Sequence, residues 1–276
     1  MDDASTPQID RPPRSLAAPS LALQCYLLDL RRRAPAKGFL LLFGALCLPV
    51  IVAAVQGLMG DLAPDYFTSL FHSAYLPFLI PLATLFLGGP TIIDEVEGQT
   101  LTYLTLRPIP RGLLYIAKLA SSLTLALIVV LVPVGLLSLV GLISGVPVDA
   151  STLMQAMASS ALGALTYTAL FACLGVLFSA TLLPGIVYFV VFEIILFTIP
   201  LVELLSVKFH LYTVAGLDPT GSADEDSTGL RQLMEQLILD APLSIAPWQS
   251  AVALLVVVPA AILAGALLFD SRQFHH

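Results

Sequence analysis

The chain has 276 residues, 58% of them hydrophobic and 11% charged, and its mean hydropathy is +0.93. A soluble domain carries about 25% charged residues, so this composition excludes a soluble globular protein and points to an integral membrane protein. The net charge of −7 makes no case for a nucleic-acid partner, and the placement of the charges says more than their sum.

The first twenty residues are polar, acidic and proline-rich, and they lack the basic-then-apolar order of a secretory signal, so they read as a disordered tail. The next stretch, SLALQCYLLDLRRR over residues 20–33, places Leu21, Leu23, Leu27, Leu28 and Leu30 on an apolar face and ends in Arg31, Arg32 and Arg33. Ser20 is a candidate cap. A basic cluster suits both a helix C-terminus and an anionic leaflet, so this segment predicts a helix lying in the membrane interface. A plain basic anchor for the first span is the competing reading.

Six apolar stretches follow, each long enough to cross a bilayer, which takes about 20 residues. They are approximately Gly38–Leu58, Ala74–Ile93, Leu113–Ile143, Leu153–Ala180, Leu183–Val207 and Pro247–Phe269. A tight turn near Thr181–Gly185 divides the fourth from the fifth. Lys and Arg set the orientation. With the N-terminus inside, 10 of the 12 basic residues are cytoplasmic, all but Lys208 and Arg231. Asp61, Asp65, Asp149 and the acids of residues 218–240 then fall outside, and both termini are cytoplasmic. The chain divides into an N-terminal cytoplasmic segment, 1–37, and a membrane domain, 38–276, with a cytoplasmic loop at 94–112 and an outside loop at 207–246.

Within the spans, Pro49, Pro77, Pro81, Pro133, Pro200 and Pro259 are tolerated as kinks. Small pairs such as Gly141–Gly145 and Ser159–Gly163 point to close helix packing. Glu193, in YFVVFEIILF, is the anomaly. A carboxylate near the middle of a span costs about 3 kcal/mol on insertion scales, so it faces a cavity or a partner, or is protonated. A transport role and a structural hydrogen bond to a neighbouring Ser, Thr or Tyr are both consistent with it. Glu203, nearer the outer end, is expected to reach water. In the outside loop, LRQLMEQLILD predicts an amphipathic helix, read as a packing element or a gate, and Trp248 marks interface depth.

Cys25, Cys47 and Cys173 form no CxxC pair, there is no HExxH, and the histidines are His72, His210 and the terminal His275–His276, so no metal site is expected. There is also no G-x-x-x-x-G-K-[ST] phosphate loop, so any ATP-driven activity must be supplied by a partner.

The remaining feature is IIDEVEGQTLTYLTLRPIPR, residues 92–111, which sets three acids, two arginines and two prolines between apolar runs. Asp94, Glu95 and Glu97 stand where acids favour a helix start, and Arg107–Pro108 ends it, because the residue before proline disfavours helical geometry. The passage resembles the type-two export class of ABC transporter permeases. There, a Glu-x-x-x-Gly-Thr-Leu-like run is followed by a Pro-Ile/Val-x-Arg-like run and then a Lys as the third span begins. The matching residues are Asp94, Glu95, Glu97, Gly98, Thr100, Leu101, Arg107, Pro108, Arg111 and Lys118; Gln99 separates Gly98 from Thr100, where the family has them adjacent.

The resemblance implies an all-α, polytopic membrane protein with six transmembrane helices, an N-terminal interfacial helix and a cytoplasmic coupling helix. It implies the permease subunit of an ATP-driven exporter in the bacterial cytoplasmic membrane. The chain itself is not an enzyme and binds no cofactor; a separate cytoplasmic ATP-binding subunit holds ATP and Mg. A second permease copy or paralogue completes the pathway within the lipid bilayer, and the outside loop leaves room for an accessory protein there. A secondary transporter and a non-transporting membrane anchor are the alternatives. The spans lack the charged ring or polar stripe that would suit a large sugar polymer. That favours a lipidic, peptide or amphipathic cargo, or mechanical work on an outside partner.

Overall fold

The computed structural model describes residues 18–90, 111–178, 182–195, 202–217 and 246–271. The described residues are helical, with no strand among them. Helix α1 is Ala18–Arg33 and α2 is Lys37–Met59. A continuous helix α3 covers Tyr66–Gly88. Then come α4, Arg111–Ile143, α5, Ala150–Phe178, and the shorter α6, Leu182–Ile195. A 3₁₀ turn at Val202–Leu205 leads to α7, Val207–Val214, and α8 is Pro247–Ser271. This is a polytopic membrane protein: α2, α3, α4, α5 and α8 are each long and apolar enough to span.

Helix α1 starts at Ala18, so Ser20 lies inside it and is not its cap. Pro19 occupies the first turn, where its missing amide forfeits no bond. Helix α3 starts about two turns before the expected Ala74. Its middle, Phe71–Leu79, opens into a π-helix around Pro77; proline removes an i→i−4 donor and crowds the preceding turn, and a wider turn relieves both.

The expected fifth span, Leu183–Val207, is not one helix. Helix α6 begins at Leu182, so Gly185 sits within it and not in a turn, and it is described only as far as Ile195. The 14 described residues of α6 rise about 21 Å. The segment after Ser206, expected to begin an outside loop, is instead the helix α7, with Val207, Phe209, Leu211, Tyr212 and Val214 buried. The expected amphipathic helix around Leu230–Ile238, the N-terminal tail and the 94–110 part of the cytoplasmic loop lie outside the described residues.

Helix α5 is the hub, packing against α3, α4, α7 and α8, while α4 also takes α1 and α2. Its buried face is made of small groups, among them Ala156, Ser159, Ser160, Gly163 and Ala164. Lipid tails are as apolar as leucine, so helices associate through close packing and hydrogen bonds rather than by escaping the solvent. Both devices are present. Tyrosines carry the hydrogen bonds: Tyr66 donates to the carbonyl of Leu137 at 3.1 Å, Tyr75 to that of Leu46 at 2.9 Å and Tyr212 to that of His72 at 2.8 Å. Gly141, one of the small pairs, faces Tyr66 and the Val146 carbonyl.

Successive spans alternate direction, which gathers Arg31, Arg32, Lys37 and the start of α4 at one end, the basic end, and the exposed Asp61, Asp65 and Asp149 at the other, the acidic end. The two-turn neighbourhood of Gly88 closes the basic end against α5. A Cβ placed on Gly88 would stand 2.7 Å from the Thr168 carbonyl oxygen, a backbone atom that cannot swing aside. Gly88→Val is therefore expected to separate α3 from α5 and to cost about 1–3 kcal/mol, read as a lowered midpoint of thermal unfolding in detergent. An unchanged midpoint would remove this contact as a determinant of the fold.

Candidate functional site

The basic end is built on a buried ion cluster. Asp29 and Arg33 lie four residues apart on α1, a spacing that puts them on one face, and Arg33 Nε sits 3.2 Å from Asp29 Oδ1. Lys118, two turns into α4, places Nζ 3.7 Å from the same oxygen. The Ser121 hydroxyl donates to Asp29 Oδ2, and Tyr26 and Thr124 are hydrogen-bonded beside them at 3.1 Å. Asp29 is 8% exposed and Lys118 6%, so these charges are held away from water and depend on one another.

Arg33 also reaches α3. Its Nη1 donates to the Leu87 carbonyl at 3.4 Å and to the Ser122 hydroxyl at 3.1 Å. The last carbonyls of a helix lack intrahelical partners and favour a cation, and Leu87 is the penultimate residue of α3. Helix α1 thereby binds the end of α3 and the beginning of α4, the two helices that flank residues 91–110.

Of the expected coupling residues, Asp94, Glu95, Glu97, Gly98, Thr100, Leu101, Arg107 and Pro108 lie outside the described residues, and Arg111 is the first residue of α4. Lys118 is not on a surface: it is buried against Asp29. Arg31 and Arg32 are exposed, as an interfacial basic cluster requires, whereas Arg33 turns inward. Of the apolar face expected of α1, Leu23, Leu27 and Leu28 are exposed, whereas Leu30 packs against the core. Asp29 was not singled out from the sequence. Its signal was there: an i,i+4 Asp–Arg pair in an otherwise apolar helix, and an unexplained lysine inside a span.

A second polar site lies where the fifth crossing breaks. Glu193, 1% exposed, is aimed at the start of α7. Its Oε2 accepts from the Ser206 hydroxyl at 2.6 Å and the Lys208 amide at 3.0 Å. Its Oε1 accepts from the Val207 amide at 3.3 Å and the Tyr188 hydroxyl at 3.4 Å. The first amides of a helix have no intrahelical acceptor, and a carboxylate there also meets the positive end of the helix dipole. Ser206 is the N-cap and accepts from the Phe209 amide at 3.4 Å. Glu193 is thus a cap delivered from another helix, which is the structural hydrogen-bond reading of this residue.

Helix α7 enters the bundle without crossing it. Leu211 lies against Ile80 and Gly163, midway along α3 and α5, while Gly216 lies against Gln155 near the start of α5. His210 joins α7 to α8: Nε2 donates to the Leu204 carbonyl at 3.0 Å, and Nδ1 accepts from the Ser250 hydroxyl at 3.1 Å. Lys208 lies over the Tyr212 ring at 5.6 Å. Glu203, expected to reach water, is 2% exposed, because the 3₁₀ turn carrying it folds inward with α7.

A family model described as ABC-2 family transporter protein matches residues 22–209. The match takes in α1, the first four spans, the broken fifth crossing and the first residues of α7. No curated protein matches the chain.

Two expected outcomes follow from these geometries. Asp29→Asn removes the carboxylate that Arg33 and Lys118 share, and is expected to cost about 3–5 kcal/mol. Lys118→Met leaves the Asp29–Arg33 pair intact and is expected to cost clearly less; equal losses in thermal unfolding would contradict the arrangement. Glu193→Ala orphans two amides at the start of α7, a penalty of about 1–3 kcal/mol for each buried group. Glu193→Gln keeps one acceptor oxygen and should fall between the two. If Glu193→Gln lost transport at an unchanged unfolding midpoint, capping would not be its main role.

Proposed function

The chain belongs to the ABC-2 transporter family and is a multi-pass membrane permease, and from that premise we propose that it is the transport subunit of an ATP-driven exporter. In this reading the basic end faces the cytoplasm of a bacterial cell, in accord with the bias of Lys and Arg. A separate ATP-binding subunit docks on residues 94–112, where Asp94, Glu95 and Glu97 present acidic groups and Arg107, Pro108 and Arg111 end the element. A second copy of this chain, or a paralogue, completes the pathway.

The observation that carries the proposal is the attachment of α1 to both helices flanking that loop. A docking loop tethered flexibly would absorb the movement of an ATPase. Here Arg33 holds the last turn of α3, and Asp29 holds Lys118 in α4. A displacement of the loop therefore moves α1, α3 and α4 as one body. Both α3 and α4 pack on α5, and α5 also packs on α7 and α8. The helices supply a rigid path from the ATPase side to the capped helix. The chemistry of ATP hydrolysis belongs to the partner; this chain contributes docking, transmission and the membrane path.

The test is to express the chain with the ATP-binding protein encoded beside its gene and purify through a tag on the chain. The ATPase is expected to co-purify, with activity higher in the complex than alone. Glu95→Lys with Glu97→Lys is expected to weaken capture by about tenfold, since exposed ion pairs contribute up to about 1 kcal/mol each. Failure to capture an ATPase, or full coupling in the charge-reversed variant, would overturn the docking assignment.

A further inference from the structure

A groove of about 580 Å³ opens between α2 and α3 at the basic end, within the roughly 300–1,000 Å³ of ordinary small-molecule sites. Its walls are apolar, with Leu41, Leu42 and Ala45 from α2 facing Leu82 and Phe86 from α3. Among the described residues its one charged lining residue is Arg33, which is paired with Asp29. Arg31, Arg32 and Lys37, on either side of the α1–α2 connection, are exposed. The groove thus combines a long apolar slot with three exposed cations close in sequence to its mouth, and no acid is among its described lining residues.

We propose that this groove is a binding site for one anionic glycerophospholipid from the leaflet at the basic end. An acyl chain lies between α2 and α3, and the phosphate meets Arg32 and Lys37. The charge pattern selects the class of lipid. A zwitterionic headgroup gains little from three cations, whereas an anionic one is attracted by each of them, and basic pockets between transmembrane helices hold such headgroups by this means. The charge of Arg33 is already met by Asp29, so the attraction comes from Arg31, Arg32 and Lys37. The site also has a consequence for the fold. Pro90 and Leu87 line it, so a bound lipid packs against the end of α3, where Arg33 is anchored. The inference does not rest on the proposed ATPase coupling, since it concerns lipid binding by this chain alone.

Native mass spectrometry of the full chain, released from detergent with equimolar phosphatidylglycerol and phosphatidylcholine, tests it. Phosphatidylglycerol is expected to be retained at one per chain in preference to phosphatidylcholine. Arg32→Gln and Lys37→Gln are each expected to reduce that preference about fivefold. Ala45→Trp fills the slot and is expected to abolish retention. Gly38→Leu does so from the rim without touching the core, because a Cβ there meets nothing within 4 Å, so it serves where Ala45→Trp does not fold. Equal retention of the two lipids by the wild type would overturn the proposal, as would undiminished phosphatidylglycerol in a folded slot-filling variant.

Discussion

In hydrocarbon there is no water to take up an unpaired amide, so wherever a helix stops inside the membrane the protein must provide the missing acceptor itself. That constraint explains the arrangement around Glu193. The fifth crossing breaks, α7 starts within the bundle, and its first amides need a partner. The Glu193 carboxyl accepts from two amides and two hydroxyls at once, and the dipole of α7 favours a negative charge there. A residue that looks like an isolated intramembrane charge is what caps a helix that starts inside the bundle.

The same reasoning applies to the basic end with the signs reversed. The Leu87 carbonyl, in the last turn of α3, accepts from the guanidinium of Arg33. Burying that cation calls for an anion, and Asp29 provides it at i−4. Asp29 has room for a second cation, which is Lys118. Each charge is present because the previous one had to be compensated, and the chain of compensation joins three helices. Buried ion pairs are weak contributors to net stability but specify geometry, because losing one member is costly. A cluster of this kind fixes the relative position of α1, α3 and α4 more than it raises overall stability.

The sequence displayed the spans well because apolarity over about 20 residues is a one-dimensional signal. Four of the six stretches correspond to observed helices within about three residues at each end, and α3 was foreseen with its start too late. Its first turns, YFTSLFHS, are mixed in character and become buried only through contacts with α4 and α7, as Tyr66 does with Leu137. The fifth stretch misled for the opposite reason. Hydropathy is blind to direction, and VELLSVKFHLYTV is as acceptable in a re-entrant turn as in a crossing. Glu193 was recognisable as anomalous, but its partner amides are 14 and 15 residues further on, and no periodicity links positions across a break in a helix. Asp29, Arg33 and Lys118 are 89 residues apart at their widest, and only the fold brings them together.

The two polar sites bear on the same hub. Helix α5 touches α3 and α4, which the ion cluster holds, and also α7, which Glu193 caps. Its buried face is dominated by alanine, glycine, serine and threonine, and Gly88 meets it backbone to backbone. Contacts of this kind tolerate sliding poorly, because small groups at close range leave no long side chains to repack. Under the proposed function, a shift of the α3–α4 pair would pass into α5 through these contacts. The hydrogen bonds of Glu193 and His210 hold α7 to α6 and α8. Helix α7, which rests on α5 and is held by those bonds, is where such a movement would arrive.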